Sequence, residues 1–189
     1  MTEADLLKDC LERLNRSGID YRVTGSMASN YWGIPRTTHD LDFVLQLSPE
    51  AVPNLVRAFR QDFHLDEESV RAAKKPPYQF NAIDLRSSLK VDFWLPRGSL
   101  FDREVFNRRL PRTMLGVAAW VATAEDVILH KLLWNQLTPS ERQCRDAAGV
   151  FQVQRGRLNL DHIEKWSKLI GVNEEWQAIL EGRIRPKQT

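Results

Sequence analysis

The sequence of 189 residues has few cysteines, no long apolar run and almost no net charge. Cys10 and Cys144 are its only cysteines, so we expect no disulfide framework and two reduced side chains that serve packing. No apolar run approaches the roughly 18–20 residues that a membrane-spanning helix needs. The opening residues also lack the basic and apolar regions of a signal peptide. These absences predict a cytoplasmic protein without a membrane partner.

The net charge and the positions of the histidines argue against two classes of protein. A net charge of +2 is too small to indicate a dedicated nucleic-acid-binding protein, although it permits a polyanionic acceptor. His64, His130 and His162 are scattered without the spacing of a zinc site. Hydrophobic residues make up 42% and charged residues 28% of the chain, as in ordinary globular proteins. The length fits one domain, or a domain with a small appendage.

Two acidic residues open a predicted strand that is otherwise apolar. Asp40 and Asp42 stand at positions i and i+2, with Leu41 between them and an apolar run behind them. Side chains two residues apart on a strand point to the same face, so the two carboxylates are expected to lie side by side. Like charges held this close repel each other. A Mg²⁺ ion removes the repulsion, because it prefers carboxylate oxygens and leaves positions open for phosphates.

A third carboxylate, Asp92, interrupts a second apolar strand. If the two strands are neighbours, the three acids form a cluster able to hold two Mg²⁺ ions roughly 3.5–4 Å apart, with Mn²⁺ as a substitute. Asp92 is then the natural general base. Gly25 and Ser26, between a predicted strand and a predicted helix, offer backbone N–H groups to a phosphate. The combination predicts phosphoryl or nucleotidyl transfer from an NTP.

Three motifs in this order carry a family resemblance: Gly25-Ser26, Arg36-Thr37-Thr38-His39-Asp40-Leu41-Asp42-Phe43 and Val91-Asp92-Phe93. Together they resemble the nucleotidyltransferase superfamily, which shares its fold with DNA polymerase β. The Arg-x-Thr-x-Asp-x-Asp form is most similar to the AbiEii-type branch, known as toxins of bacterial toxin–antitoxin pairs. The resemblance implies Mg²⁺-dependent transfer of an NMP to a hydroxyl acceptor, either RNA such as tRNA or a protein. It also implies an antitoxin protein as a partner.

The same resemblance extends to the helical tail. It implies that Lys131 contacts the triphosphate and that Asp146 orients this lysine or the base. The alternative is an ordinary exposed lysine and a helix-surface pair of Asp146 with an arginine. Arg36 precedes the Asp-x-Asp strand, where its guanidinium either grips a phosphate with two hydrogen bonds or anchors the loop to a carbonyl.

Other interpretations of the same residues stay open at this stage. Ser26 is a common helix N-cap residue, and Asp92 is able to form a purely structural pair with Lys90 or an arginine. A small molecule such as an aminoglycoside is an alternative acceptor. Two further functional readings are a non-catalytic nucleotide-binding module and an interaction protein on the same fold.

The periodicity of the chain predicts an α/β (α+β) fold, with strands and helices first and helices alone afterwards. Strands are predicted at 21–24, 41–47, 79–85 and 90–95, a hairpin at 110–121, and helices at 2–15, 27–32, 48–62, 123–138, 140–154, 161–169 and 174–180. The charged segment 66–78 has room for one further short helix before Pro76-Pro77. With the resemblance, this order implies a polymerase β-type mixed sheet with flanking helices. We expect a catalytic domain at 1–122 and a small all-helical C-terminal subdomain at 123–189.

Overall fold

The computed structural model describes residues 1–187, and the last two residues of the predicted helical subdomain lie outside this range. Two compact units are present. The first consists of Met1–Thr24 and Thr38–Val121, and the second of Gly25–Thr37 and the chain from Ala122 onward. The second unit therefore begins at the predicted boundary but also includes a short segment from the predicted catalytic domain.

Within residues 1–187 the chain forms seven strands and nine α-helices. The strands are β1 (Asp20–Val23), β2 (Leu41–Gln46), β3 (Phe63–His64), β4 (Gln79–Asp84), β5 (Lys90–Trp94), β6 (Leu110–Met114) and β7 (Val117–Val121). The helices are α1 (Glu3–Ser17), α2 (Gly25–Trp32), α3 (Val52–Phe59), α4 (Glu67–Ala72), α5 (Leu100–Asn107), α6 (Ala124–Leu137), α7 (Glu141–Gln154), α8 (Leu160–Leu169) and α9 (Asn173–Leu180). A 3-10 turn at Pro49–Ala51 precedes α3. None of the helices in this range combines the length and apolar character that crossing a membrane requires.

All seven strands belong to the first unit and form one mixed sheet in the order β3-β4-β5-β2-β1-β7-β6. β2 and β5 are parallel, as are β1 and β7, while the other pairs are antiparallel. The central strand β2 alternates buried and half-buried residues, as expected for a strand with one face in the core and one more open. This alternation decides which side chains of the central strands face away from the core.

Aromatic side chains dominate the core face of the central strands. Phe43 of β2, Phe93 of β5 and Phe80 of β4 stack in a row, with ring centroids 5.7 and 5.2 Å apart. Phe59 of α3 meets the Phe93 ring edge-on at 5.5 Å. The apolar face of α1, with Leu6, Leu7, Cys10, Leu11 and Leu14, is buried. This packing fixes the central strands, and hence the polar residues on their other face.

The second unit is built from α2 and the helices from α6 onward, with α6 and α7 contacting both each other and α2. Gly33, just after α2, allows the closest approach: a Cβ there would lie 2.8 Å from the backbone nitrogen of Val150 in α7. Trp32 donates from Nε1 to the carbonyl oxygen of Ala122 at 2.8 Å. These contacts tie the start of the second unit to its helical part.

The predicted mixed α/β fold is confirmed, including the hairpin at 110–121, which pairs Leu110 with Val121. Two elements are absent from the sequence prediction. Helix α5 has a clear signal, because Ser99 and Asp102 form a capping box at its start. Strand β3 contains only two residues, too few for periodicity to reveal. The helix predicted at 48–62 is shorter, since it begins as a 3-10 turn and α3 ends at Phe59.

Candidate active site

Two of the three predicted carboxylates lie next to each other on parallel strands. Asp42 of β2 and Asp92 of β5 are direct register partners, and neighbouring strands are about 4.8 Å apart. Both side chains therefore project from the same face of the sheet. Asp40 precedes β2 by one residue and is exposed. The structure thus shows that the two strands are neighbours, as a cluster of these acids requires.

The side chains of two further residues hold these carboxylates. Lys90 Nζ lies 2.8 Å from Asp92 Oδ2, and Trp94 Nε1 donates to Asp42 Oδ1 at 3.1 Å. Lys90, Asp92 and Trp94 occupy alternate positions of β5, so all three share the face that carries Asp42. The hydrogen bond and charge of Asp92 raise the pKa of Lys90, and the charges of Asp40 and Asp42 add to the effect.

Asp92 has an unusual environment for a carboxylate. It is 8% exposed, and its Oδ1 atom is buried without a hydrogen-bond partner. A buried acceptor of this kind costs free energy unless something binds it. The oxygen chemistry of Asp40, Asp42 and Asp92 fits Mg²⁺, which favours carboxylates. Nevertheless, no three acidic, histidine or cysteine side chains among residues 1–187 converge as metal ligands.

The remaining candidate residues belong to the second unit, where Gly25 begins helix α2. Its φ of 59° lies in the left-handed region, which glycine adopts without steric cost. The first N–H groups of a helix have no partner within the helix, and this end of the helix dipole favours anions. Ser26 follows in the first turn, and its hydroxyl accepts a hydrogen bond of 2.9 Å from an Arg36 amino group.

Asp146 of α7 joins two cations of the second unit. Arg36 contacts it through two hydrogen bonds of 2.8 Å, from Nε to Oδ1 and from Nη2 to Oδ2. Lys131 Nζ of α6 lies 2.8 Å from the same Oδ2. Burial raises the pKa of Asp146, but the hydrogen bonds and charges of Arg36 and Lys131 outweigh burial and bring this pKa below its usual value. Asp146 is therefore a carboxylate that two cations stabilise.

Several alternatives from the sequence are resolved by these contacts. Lys131 is 4% exposed, so the interpretation as an ordinary exposed lysine is wrong. Ser26 is not the N-cap residue, because α2 already begins at Gly25. Arg36 does form a double hydrogen bond, to a carboxylate, and it also contacts the carbonyl of Thr37. The structure thus gathers Ser26, Arg36, Lys131 and Asp146 into one network.

Sequence reasoning missed residues that surround the carboxylates. Lys90 entered only as a possible structural partner, and Trp94 was not considered. Asn81 of β4 is the register partner of Asp92 on its other side and is exposed. Because Lys90, Asp92 and Trp94 alternate along one strand, the sequence alone predicts that they share a face. The position of Asn81 beside Asp92 is visible only once the order of the strands in the sheet is known.

Comparison with known proteins adds evidence at the level of the fold. No protein-family model matches the chain, and no curated protein is detectably similar in sequence. Solved structures do match. A structure of ANT(2″)-Ia in complex with adenylyl-2″-tobramycin superimposes with a TM-score of 0.64 at 12% identity, covering 92% of this chain and 99% of that one. A solution structure of the antibiotic-resistance factor ANT(2″)-Ia gives a TM-score of 0.58 at 12% identity, with 95% of each chain covered.

A third match has a fungal source. An antigenic nucleotidyltransferase-like protein from Paracoccidioides brasiliensis superimposes with a TM-score of 0.56 at 14% identity, covering 98% of this chain and 94% of that chain. At identities this low, the matches support a common fold and give no information about substrates. The mixed sheet and its flanking helices therefore have the architecture of the nucleotidyltransferase fold.

Proposed function

We propose that this protein is a Mg²⁺-dependent nucleotidyltransferase that transfers an NMP from an NTP to a hydroxyl acceptor. The observation that carries the proposal is the in-register pair of Asp42 and Asp92 on neighbouring parallel strands. Two carboxylates on one sheet face, one of them with a buried oxygen that lacks a partner, need positive charge. A nucleotidyltransferase fold around this pair supports the same chemistry.

In this proposal Asp40, Asp42 and Asp92 hold two Mg²⁺ ions, for which Mn²⁺ substitutes. Ions held there would supply positive charge for the phosphates and would lower the pKa of the attacking hydroxyl. The acceptor oxygen forms a bond to the α-phosphorus, and the bond from this phosphorus to the bridging oxygen breaks, releasing pyrophosphate. The Asp92 carboxylate accepts the proton of the acceptor hydroxyl. Trp94 holds one oxygen of Asp42 in place through its hydrogen bond.

In this proposal, residues of the second unit bind the phosphates of the NTP. The N–H groups at Gly25 and Ser26 suit a phosphate oxygen, because the start of a helix carries partial positive charge. Arg36 and Lys131 supply two cations for the triphosphate, where negative charge accumulates during transfer. Asp146 positions both cations through the three hydrogen bonds described above.

For the acceptor, the proposal follows the resemblance of the Arg36-to-Asp42 motif to AbiEii-type toxins. It assigns RNA such as tRNA, or a protein, as the acceptor, and a toxin role with an antitoxin protein as partner. A stoichiometric protein partner that suppresses transfer when added back would support this role. Transfer that no co-purifying protein affects would count against it.

A small-molecule acceptor is the second candidate, and one observation favours it. This chain and ANT(2″)-Ia, solved with an adenylylated tobramycin, overlap over 92% and 99% of their lengths. The similarity thus extends over almost the whole of a protein that was solved with a modified antibiotic. Under this alternative, NMP is transferred to a hydroxyl of a small aminoglycoside-like molecule.

The experiment that tests the proposal incubates purified protein with Mg²⁺, each of four α-³²P-labelled NTPs in turn, and a cell extract containing RNA and protein. Parallel reactions replace the extract with aminoglycosides. The double variant Asp40→Asn/Asp42→Asn removes two proposed metal ligands. Asp20→Asn is the matched control, because Asp20 lies on the same sheet but is largely exposed in its pair with Arg109.

We expect label in an RNA, protein or aminoglycoside product with the wild-type protein and with Asp20→Asn, and none with the double variant. The labelled product identifies the acceptor class and the preferred base together. Transfer that persists in the double variant, or that proceeds equally well in EDTA, would contradict the proposal.

A further inference from the structure

Lys90 of β5 contacts the carboxylate face of the first unit. Its Nζ lies 2.8 Å from Asp92 Oδ2, while its own side chain is 53% exposed and that of Asp92 only 11%. The lysine therefore reaches inward from solvent to a nearly buried acid.

This contact satisfies only part of the Asp92 carboxylate, because its Oδ1 atom keeps no hydrogen-bond partner. Lysine also suits a temporary role, because its ammonium is a point charge on a flexible stem, unlike the planar fork of arginine. An ion pair with one half-exposed member is weak and breaks at little cost. The contact is strong enough to hold Asp92 but not to exclude a doubly charged ion.

We propose that Lys90 is an internal counter-cation that occupies the carboxylate cluster without metal and moves into solvent when a divalent ion binds. The inference rests on the proposed function, which assigns metal ligation to the same acids. Lys90 then lowers the affinity for metal and stabilises the metal-free protein.

The test measures Mn²⁺ binding to the full-length protein from the EPR signal of free Mn²⁺. Lys90→Met removes the competing charge and keeps the length of the stem. Lys168→Met is the matched control, because Lys168 also pairs with an acid, Glu164, at 2.7 Å and is similarly exposed. Lys90→Arg keeps the charge at the same position. Melting temperatures are recorded for each protein without metal and with saturating Mn²⁺.

We expect Lys90→Met to bind Mn²⁺ about threefold to tenfold more tightly than the wild type, because one repelling charge is gone. Lys168→Met and Lys90→Arg should stay within about twofold of the wild type. Without metal, Lys90→Met should melt lower than the wild type, since Asp92 loses its partner. Saturating Mn²⁺ should close this gap, because ligand binding stabilises the folded state.

The outcomes separate this inference from the function on which it rests. Mn²⁺ binding that requires Asp42 but is unchanged or weaker in Lys90→Met overturns the counter-cation role alone. An affinity of Lys90→Arg that rises as far as that of Lys90→Met overturns it too, since a retained charge should still compete. Absence of Mn²⁺ binding in every variant overturns both this inference and the proposed function.

Discussion

Removal of the Asp146 carboxylate should destabilise the protein strongly, for reasons visible in its contacts. Asp146 accepts three charge-assisted hydrogen bonds of 2.8 Å, two from Arg36 and one from Lys131. The side chains of Asp146 and Lys131 are only 8% and 5% exposed. Asp146→Ala therefore removes the carboxylate that pairs with a nearly buried ammonium group and with Arg36. Breaking a buried pair in this way costs about 3–5 kcal/mol of unfolding free energy.

The assay is equilibrium urea unfolding at pH 7 followed by circular dichroism, with the melting temperature as a second measure. For a chain of this length, the loss corresponds to a fall of about 10 °C in the melting temperature. Glu164→Ala is the matched control, because it removes an exposed partner of Lys168 and should change neither measure. An unfolding free energy of Asp146→Ala within about 1 kcal/mol of the wild type would refute the reasoning.

The same ion network predicts a pH dependence with a definite sign. The pKa of Asp146 is below its usual value of 3.8, so the folded state holds the carboxylate ionised more readily than the unfolded state does. Its stabilising contribution is complete above the unfolded pKa and is lost as the pH falls through the folded one. The stability difference between wild type and Asp146→Ala should therefore shrink below about pH 4. A difference that grows with acidity would contradict this sign.

Further predictions concern two pairs of glycines, measured by thermal unfolding and NTP binding. Gly33→Ala should destabilise by about 1–3 kcal/mol, since its Cβ would lie 2.8 Å from the Val150 nitrogen. Gly149→Ala, whose Cβ would meet only ordinary contacts at 3.6 Å, should be neutral or stabilising, and equal losses would contradict the packing. Gly25→Ala and Gly18→Ala both replace glycines with positive φ and should each cost about 1–2 kcal/mol. Only Gly25→Ala should also weaken NTP binding, and unchanged affinity would argue against a phosphate at Gly25.

The sequence predicted the carboxylate pair because strand geometry is local. Asp42 and Asp92 each interrupt an apolar run, and alternation alone places them on one face if their strands are neighbours. The pairing of β2 with β5 itself is a long-range property. From the sequence it is only a condition for the cluster, and the register of the two strands shows that the condition is met. Helix α5, in contrast, had a local signal at Ser99 and Asp102 that the prediction overlooked.

Contacts of charged side chains were harder to predict than the strands. Lys131 reads equally well as an exposed lysine, because its burial depends on α6 and α7 packing together. Arg36 lies 110 positions from Asp146 in the chain, and no local pattern reveals such a partner. The segment from Gly25 to Thr37 joins the second unit for the same reason, since its contacts with distant helices outweigh its position in the sequence.

The central claim is that Asp92 takes part in the chemistry of nucleotidyl transfer rather than in folding alone. The most direct test measures NTP binding and label transfer on the same preparation of Asp92→Asn, with its melting temperature as a check of the fold. We expect Asp92→Asn to be a folded protein that still binds NTP within about tenfold of the wild type but transfers no detectable label. Transfer at the wild-type rate by this variant would contradict the account.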